Sequence, residues 1–182
     1  ILATFVDTRT DLTLGGFNIP AAWFQSLNPM FIIFMAPLFA LMWTKLGDRG
    51  PSTPVKFSLS LFFSGASFLV MIVAIVLAGS GLVNPLWVVA SFFLVVVGEL
   101  LISPVGLSAT TKLAPAAFAG QTMALWFLAS AAAQAINAQL VRVYEAVSET
   151  MYFGVLGAIS IALGVVLLLI SPMISRAMRG IK

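Results

Sequence analysis

The chain has 182 residues, 61% hydrophobic and only 8% charged, with a net charge of +3; so little charge does not coat a water-soluble domain of this size and points to a membrane protein. It holds no cysteine and no histidine, which excludes disulfide frameworks and thiolate metal sites and removes the commonest metal ligand and general base, so no metal site is expected. The basic residues lie in short segments between apolar runs, a pattern of membrane topology and not of nucleic-acid binding.

The opening "ILATFVDTRTDLTLGG" lacks the basic, apolar and small-residue regions of a secretory signal, and residues 1–6 read as the tail of a spanning helix whose body lies upstream. Five segments then reach the roughly 20 apolar residues that a spanning helix needs. The first is predicted over 19–43, with Asn18 as N-cap and Pro20 in its first turn. Its "WFQSLNPMF" sets Gln25 and Asn28 on one face, while Pro29 and Pro37 interrupt the backbone ladder. Carbonyls freed in this way are tolerated where they line a cavity or find neighbouring partners. Asn28 is the leading candidate of this group for a cavity contact; Gln25 serves equally well as an interhelical hydrogen bond.

The second span is predicted over 54–78 and shows almost no polarity to bury, so it reads as scaffold. The third, over 85–113, is opened by Asn84 as cap and Pro85 in the first turn, and it carries Glu99 within "VVVGELLISPVGLS". A carboxylate near the bilayer midplane costs about 2.5–3.5 kcal/mol on insertion scales and faces a bundle interior or a wet cavity. Ser103 and Gly106 follow at i+4 and i+7, on the same helical face, and Pro104 removes a backbone hydrogen bond. That face reads either as a cavity wall that bends or as a site where Glu99 holds helices together.

The fourth span, over 115–144, repeats Trp126, Ser130, Gln134 and Asn137 at i, i+4, i+8 and i+11, one helical face. Trp126 beside Phe127 suits an aromatic wall for a ligand, or a core or lipid-facing tryptophan. The small residues of "SAAAQAINA" favour close helix packing around Gln134 and Asn137. The fifth span, over 150–170, is again scaffold. Alternate loops fall on opposite sides of the bilayer, and Lys45, Arg49, Lys56, Lys112, Arg176, Arg179 and Lys182 share one side with only Asp48. The positive-inside rule makes that side and the C-terminus cytoplasmic.

The stretches "IPAAWFQSLNPMFIIFMAPLFALMW", "PSTPVKF", "GELLISPVGLSATTKLAP" and "ALWFLASAAAQAINAQL" together resemble the C-terminal half of a proton-dependent oligopeptide transporter, a branch of the major facilitator superfamily. The resemblance implies an all-α membrane bundle holding spans eight to twelve and the tail of span seven, in a cell-membrane protein whose two six-span halves rock about a central site. It further implies that di- and tripeptides and protons are the partners, with the N-terminal six-helix bundle and most of span seven lying outside this chain and no cofactor beyond the coupling proton. By the same resemblance Glu99 receives the peptide amine and couples to protons, with Ser103 beside it, and Asn28 hydrogen-bonds the peptide. Trp126, Phe127 and Ser130 would line a side-chain pocket, and Pro29, Pro104 and Gly106 would act in gating. The competing reading is a structural or regulatory five-span subunit in which Glu99 bridges to a partner's cation. An intramembrane enzyme is disfavoured, because the membrane segments offer no second carboxylate, histidine or cysteine.

Overall fold

A computed structural model of the chain describes residues 2–14 and 17–178. Helix α1 spans Leu2–Arg9, strands β1 and β2 span Thr13–Leu14 and Phe17–Asn18, and α2 spans Ala22–Gln25. The long helices follow: α3 Leu27–Leu46, α4 Thr53–Ala78, α5 Pro85–Leu113, α6 Ala119–Ala146 and α7 Glu149–Ala177, with 3-10 turns at Gly47–Arg49 and Ala116–Phe118. Among the described residues five helical segments are long and apolar enough to cross a membrane, α2 and α3 counting together as Ala22–Leu46.

Two helix ends carry their own chemistry. Asn84 accepts a hydrogen bond from the Leu86 amide at 2.9 Å with Pro85 in the first turn of α5, and the Ser148 hydroxyl accepts from the Met151 amide at the start of α7, each satisfying one of the orphan donors of a helix N-terminus. The first span departs from the sequence reading. Asn18 is not its cap: it lies in β2, paired with Thr13 in a small antiparallel hairpin, and Ala21 precedes α2 without any side-chain cap. The hairpin is entered through Asp11, whose carboxylate accepts from the Thr13 hydroxyl at 2.6 Å and from the Thr13 amide at 2.9 Å. These two bonds, the hydroxyl's foremost, hold the exposed Asp11 carboxyl below its ordinary range. At the other end of the chain α7 runs past the expected boundary at 170, through Pro172 to Ala177. A proline removes its own N–H from the ladder and crowds the carbonyl four residues back, and neighbouring helices and local adjustments make up such losses in a membrane bundle.

Helix α4 lies at the centre, along both α5 and α7. Glycines set these distances. A Cβ on Gly65 would come 2.6 Å from Ile161 Cγ1 and 3.2 Å from the Gly157 carbonyl, and one on Gly98 would come 3.1 Å from the Ser60 carbonyl. This is the small-residue packing by which membrane helices approach closely. The expectation of little buried polarity in this scaffold does not hold for α4. Ser58, Ser60 and Ser67 are buried, and the Ser58 hydroxyl donates to the Gly164 carbonyl of α7 at 2.6 Å. A serine is small enough for a close interface and hands its proton to a backbone carbonyl, so hydropathy averages conceal it.

Helices α3 and α6 are peripheral in this chain. α3 leans on α5 through Phe31, set edge-on to Phe93 at 5.8 Å, and no described residue of α3 or α6 is buried. The charged ends separate as the loop count requires. Lys56 stands 4.5 Å over the Trp43 ring, close to Lys112 at the end of α5, whereas Arg9 and Glu149 pair at the opposite end.

Candidate functional site

Glu99 sits at the midpoint of α5, fourteen residues from Pro85 and fourteen from Leu113. It is half-buried. Its partner is Asn28, whose amide nitrogen stands 3.3 Å from each carboxylate oxygen. Asn28 reaches it from the first turn of α3, immediately after the interruption at Ser26 that separates α2 from α3. Pro29 explains the interruption locally: with no N–H it returns nothing to the carbonyl of Gln25, four residues back. Broken backbone at membrane depth belongs where it is enclosed by protein or faces a wet cavity.

Bonds of 3.3 Å are longer than the usual 2.9–3.0 Å, and a carboxylate offers about four acceptor positions. The amide of Asn28 therefore orients Glu99 without saturating it. Among the described residues the ion pair is Arg9–Glu149, so Glu99 has no cation from this chain's described part. Among the described residues, Glu99 is thus a half-buried carboxylate oriented by a single amide.

Ser103 and Pro104 follow on α5 and both are exposed. The helix is continuous through Pro104, so the segment expected to be broken is helical in this state. Gly106 is buried, and what covers it is Trp126 of α6. A Cβ placed on Gly106 would come 2.1 Å from Trp126 Cη2, 2.6 Å from Cζ3 and 2.9 Å from Cζ2. The glycine is the seat of the indole. The same ring also meets Phe57 of α4, with centroids 6.4 Å apart at 75°, so one tryptophan joins three helices. Beside it an open groove of about 400 Å³ is lined by Thr110, Pro115, Thr122, Leu125, Trp126 and Ala129, among others.

The remaining sequence candidates are dispersed. Phe127 is 60% exposed, pointing about 100° around the helix from Trp126. Ser130 is exposed and its hydroxyl donates to the Trp126 carbonyl at 3.2 Å, its own helix being its partner. Gln25, Gln134 and Asn137 are exposed, so the close packing expected around Gln134 and Asn137 is not made by the described helices of this chain. Thus the structure joins Asn28 to Glu99 and Gly106 to Trp126, two turns or roughly 10 Å apart along α5. It leaves Ser103, Phe127 and Ser130 outside these contacts. Sequence reasoning missed Phe57, which is one of four phenylalanines in α4 and is not singled out by its position or spacing.

A family profile described as the POT family matches residues 1–160. The chain is 58% identical over 181 residues to the uncharacterized transporter YclF of Bacillus subtilis (strain 168), covering 100% of this chain and 37% of that protein. It is 46% identical over 187 residues to the di-/tripeptide transporter of Lactococcus lactis subsp. cremoris, covering 100% of this chain and 38% of that one. Its helices superpose with a TM-score of 0.93, at 60% identity, on the crystal structure of a mutant of peptide transporter POT in complex with alafosfalin, over 98% of this chain and 37% of the other. The chain thus spans little more than a third of the length of these relatives. With the family match running through most of its residues and its whole helical bundle shared with a solved peptide transporter, this chain belongs to the POT family, as an all-α, multi-pass membrane protein of the major facilitator type.

Proposed function

We propose that the chain is the C-terminal part, spans eight to twelve, of a proton-coupled di- and tripeptide symporter that works by alternating access. The observation that carries this reading is the Asn28–Glu99 pair: a carboxylate at the middle of a spanning helix, held by one amide and left without a cation among the described residues. Such a group exchanges a proton for a peptide ammonium at the same oxygens, so one site serves both ligands. Support comes from the relative named a di-/tripeptide transporter and from a related POT family transporter solved in complex with a thioalcohol-conjugated peptide, 37% identical with a TM-score of 0.89. Trp126, set on Gly106, forms the aromatic wall of the peptide side-chain pocket, with Phe127 and Ser130 beside it and Ser103 between it and Glu99. Pro29 and Pro104 are the positions at which α3 and α5 bend in gating, and Gly106 acts beside Pro104 as the seat of Trp126. Cations that take the peptide carboxylate come from the rest of the protein.

The test is uptake by the full-length protein in liposomes. With acid outside, labelled dipeptide is expected to accumulate above its equilibrium level, and an ionophore that dissipates the gradient is expected to abolish that accumulation. Uptake that merely equilibrates, indifferent to the ionophore, would refute the proton coupling. The orientation is tested separately. The end carrying Lys45, Arg49, Lys56 and Lys112 is cytoplasmic in this reading, because lysine and arginine bias loops inward. An Arg49→Cys variant is therefore expected to resist a membrane-impermeant maleimide in intact cells and to react once the membrane is permeabilised. Labelling in intact cells would invert the topology.

A further inference from the structure

At the end of the bundle away from the lysines, α1 finishes on Arg9, and its guanidinium is divided among three partners. The Nε donates to Glu149 Oε2 at 3.0 Å, Nη1 to the Gly81 carbonyl at 3.3 Å and Nη2 to the Gly79 carbonyl at 3.3 Å. Glu149 is the first residue of α7. Gly79 and Gly81 belong to the turn after α4, where Gly79 takes a positive φ of 56°, and a cation is well placed at a helix C-terminus with its unpaired carbonyls. The planar fork of arginine suits a junction of three elements, since its donors diverge in fixed directions.

The backbone repeats the connection. The Val83 amide donates to the Arg9 carbonyl at 2.8 Å and the Asp11 amide donates to the Val83 carbonyl at 2.9 Å, a parallel bridge between Thr10 and Val83. Beneath it Phe5, Val6 and Val83 are fully buried, and Phe5 meets Phe153 of α7 edge-on at 5.7 Å. From Asp11 the chain enters the hairpin, whose Phe17 is 58% exposed, while Leu12 and Ile19 still lie partly buried against the same core.

We infer that the end of α1, the α4–α5 turn and the start of α7 are strapped together through Arg9 and Thr10 and move as one body, so that no gating motion passes between them. The inference rests on the proposed transport cycle only for the meaning of that gating motion.

The test uses full-length protein freed of other cysteines, with Thr10→Cys and Val83→Cys. Neighbours in a backbone bridge satisfy the Cα separation a disulfide needs, usually 4.4–6.8 Å, so oxidation is expected to join them, and uptake is expected to stay within about twofold of the reduced protein. A pair that does not oxidise, or a cross-link that stops uptake until it is reduced, overturns the strap. The second arm is hydrogen exchange in Arg9→Gln. Exchange at the Asp11 and Val83 amides is expected to accelerate about tenfold or more, with the α4–α7 interface unchanged. Unaltered exchange at both amides overturns the role of Arg9. If the reduced protein takes up no peptide, the transport reading fails and the exchange arm alone decides the strap.

Discussion

Replacing Glu99 by glutamine in the full-length protein is expected to reduce uptake driven by a proton gradient by about one to two orders of magnitude. Glutamine has nearly the shape of glutamate and keeps an oxygen for the Asn28 amide that now stands 3.3 Å away, so the bundle is expected to fold as before. What disappears is the charge and the proton it exchanges. Coupling between two ligands of one protein typically amounts to about 1–3 kcal/mol, or 5–150-fold in affinity, and a side chain that cannot titrate forfeits it. Peptides with a free amine lose their counter-charge as well, whereas peptides with a blocked amine had none to lose. The expected signature is therefore a strong fall for free dipeptides and a small one for N-blocked analogues. Equal, wild-type rates for both across a pH gradient would leave Glu99 a structural hydrogen-bond acceptor, and the transport role would pass to groups elsewhere.

Glu99 is legible as a candidate because its burial cost is readable from one residue in an apolar run. Its partner is not. Asn28 and Glu99 are 71 residues apart, and no local period links them; only the packing of α3 against α5 brings them together. The same contrast runs through the fold. The start of α5 is visible in sequence because Asn84 and Pro85 act within three residues. The hairpin over 13–18 escapes detection because two-residue strands carry no alternation to read. Asn18 beside Pro20 looks like a cap whether or not a helix begins there. The end of α7 reads too early for a related reason: Pro172 is a stop signal in water, yet in this bundle the helix continues to Ala177.

Small residues give the most ambiguous signal. In α4 and α7 they mark a real interface, with Gly65 and Gly157 in contact. In α6 the run "SAAAQAINA" is as small, yet Gln134 and Asn137 are exposed. Smallness permits close approach and does not name the surface approached. In the transporter proposed here, the open faces of α3 and α6 turn toward the remaining part of the protein, where polar groups such as Gln134 suit a cavity better than a lipid-facing surface.

Gly106 separates two readings that the sequence leaves together. As a hinge, it would serve by flexibility, and Gly106→Ala would favour the helix by about 1 kcal/mol while stiffening it. As the seat of Trp126, it serves by having no Cβ, because an added carbon would come within 2.1–2.9 Å of three atoms of the indole. The ring is rigid, so the clash can be relieved only by swinging Trp126 off α5 or by moving α6, and either motion loosens its edge contact with Phe57. Overpacking of this kind costs about 1–3 kcal/mol, more than the helix propensity returns. Gly106→Ala is therefore expected to lower the unfolding free energy of the full-length protein by about 1–2 kcal/mol and to impair uptake. The companion variant is Trp126→Leu, which removes the benzo ring that would collide. In the double variant the alanine is expected to cost little or nothing further, giving a coupling of about 1–2 kcal/mol between positions 20 residues apart. Denaturant unfolding of the four proteins measures it. If Gly106→Ala is as stable as the unchanged protein, or its cost adds independently to that of Trp126→Leu, the indole does not sit on the glycine and the flexible hinge is the better account of why position 106 lacks a side chain.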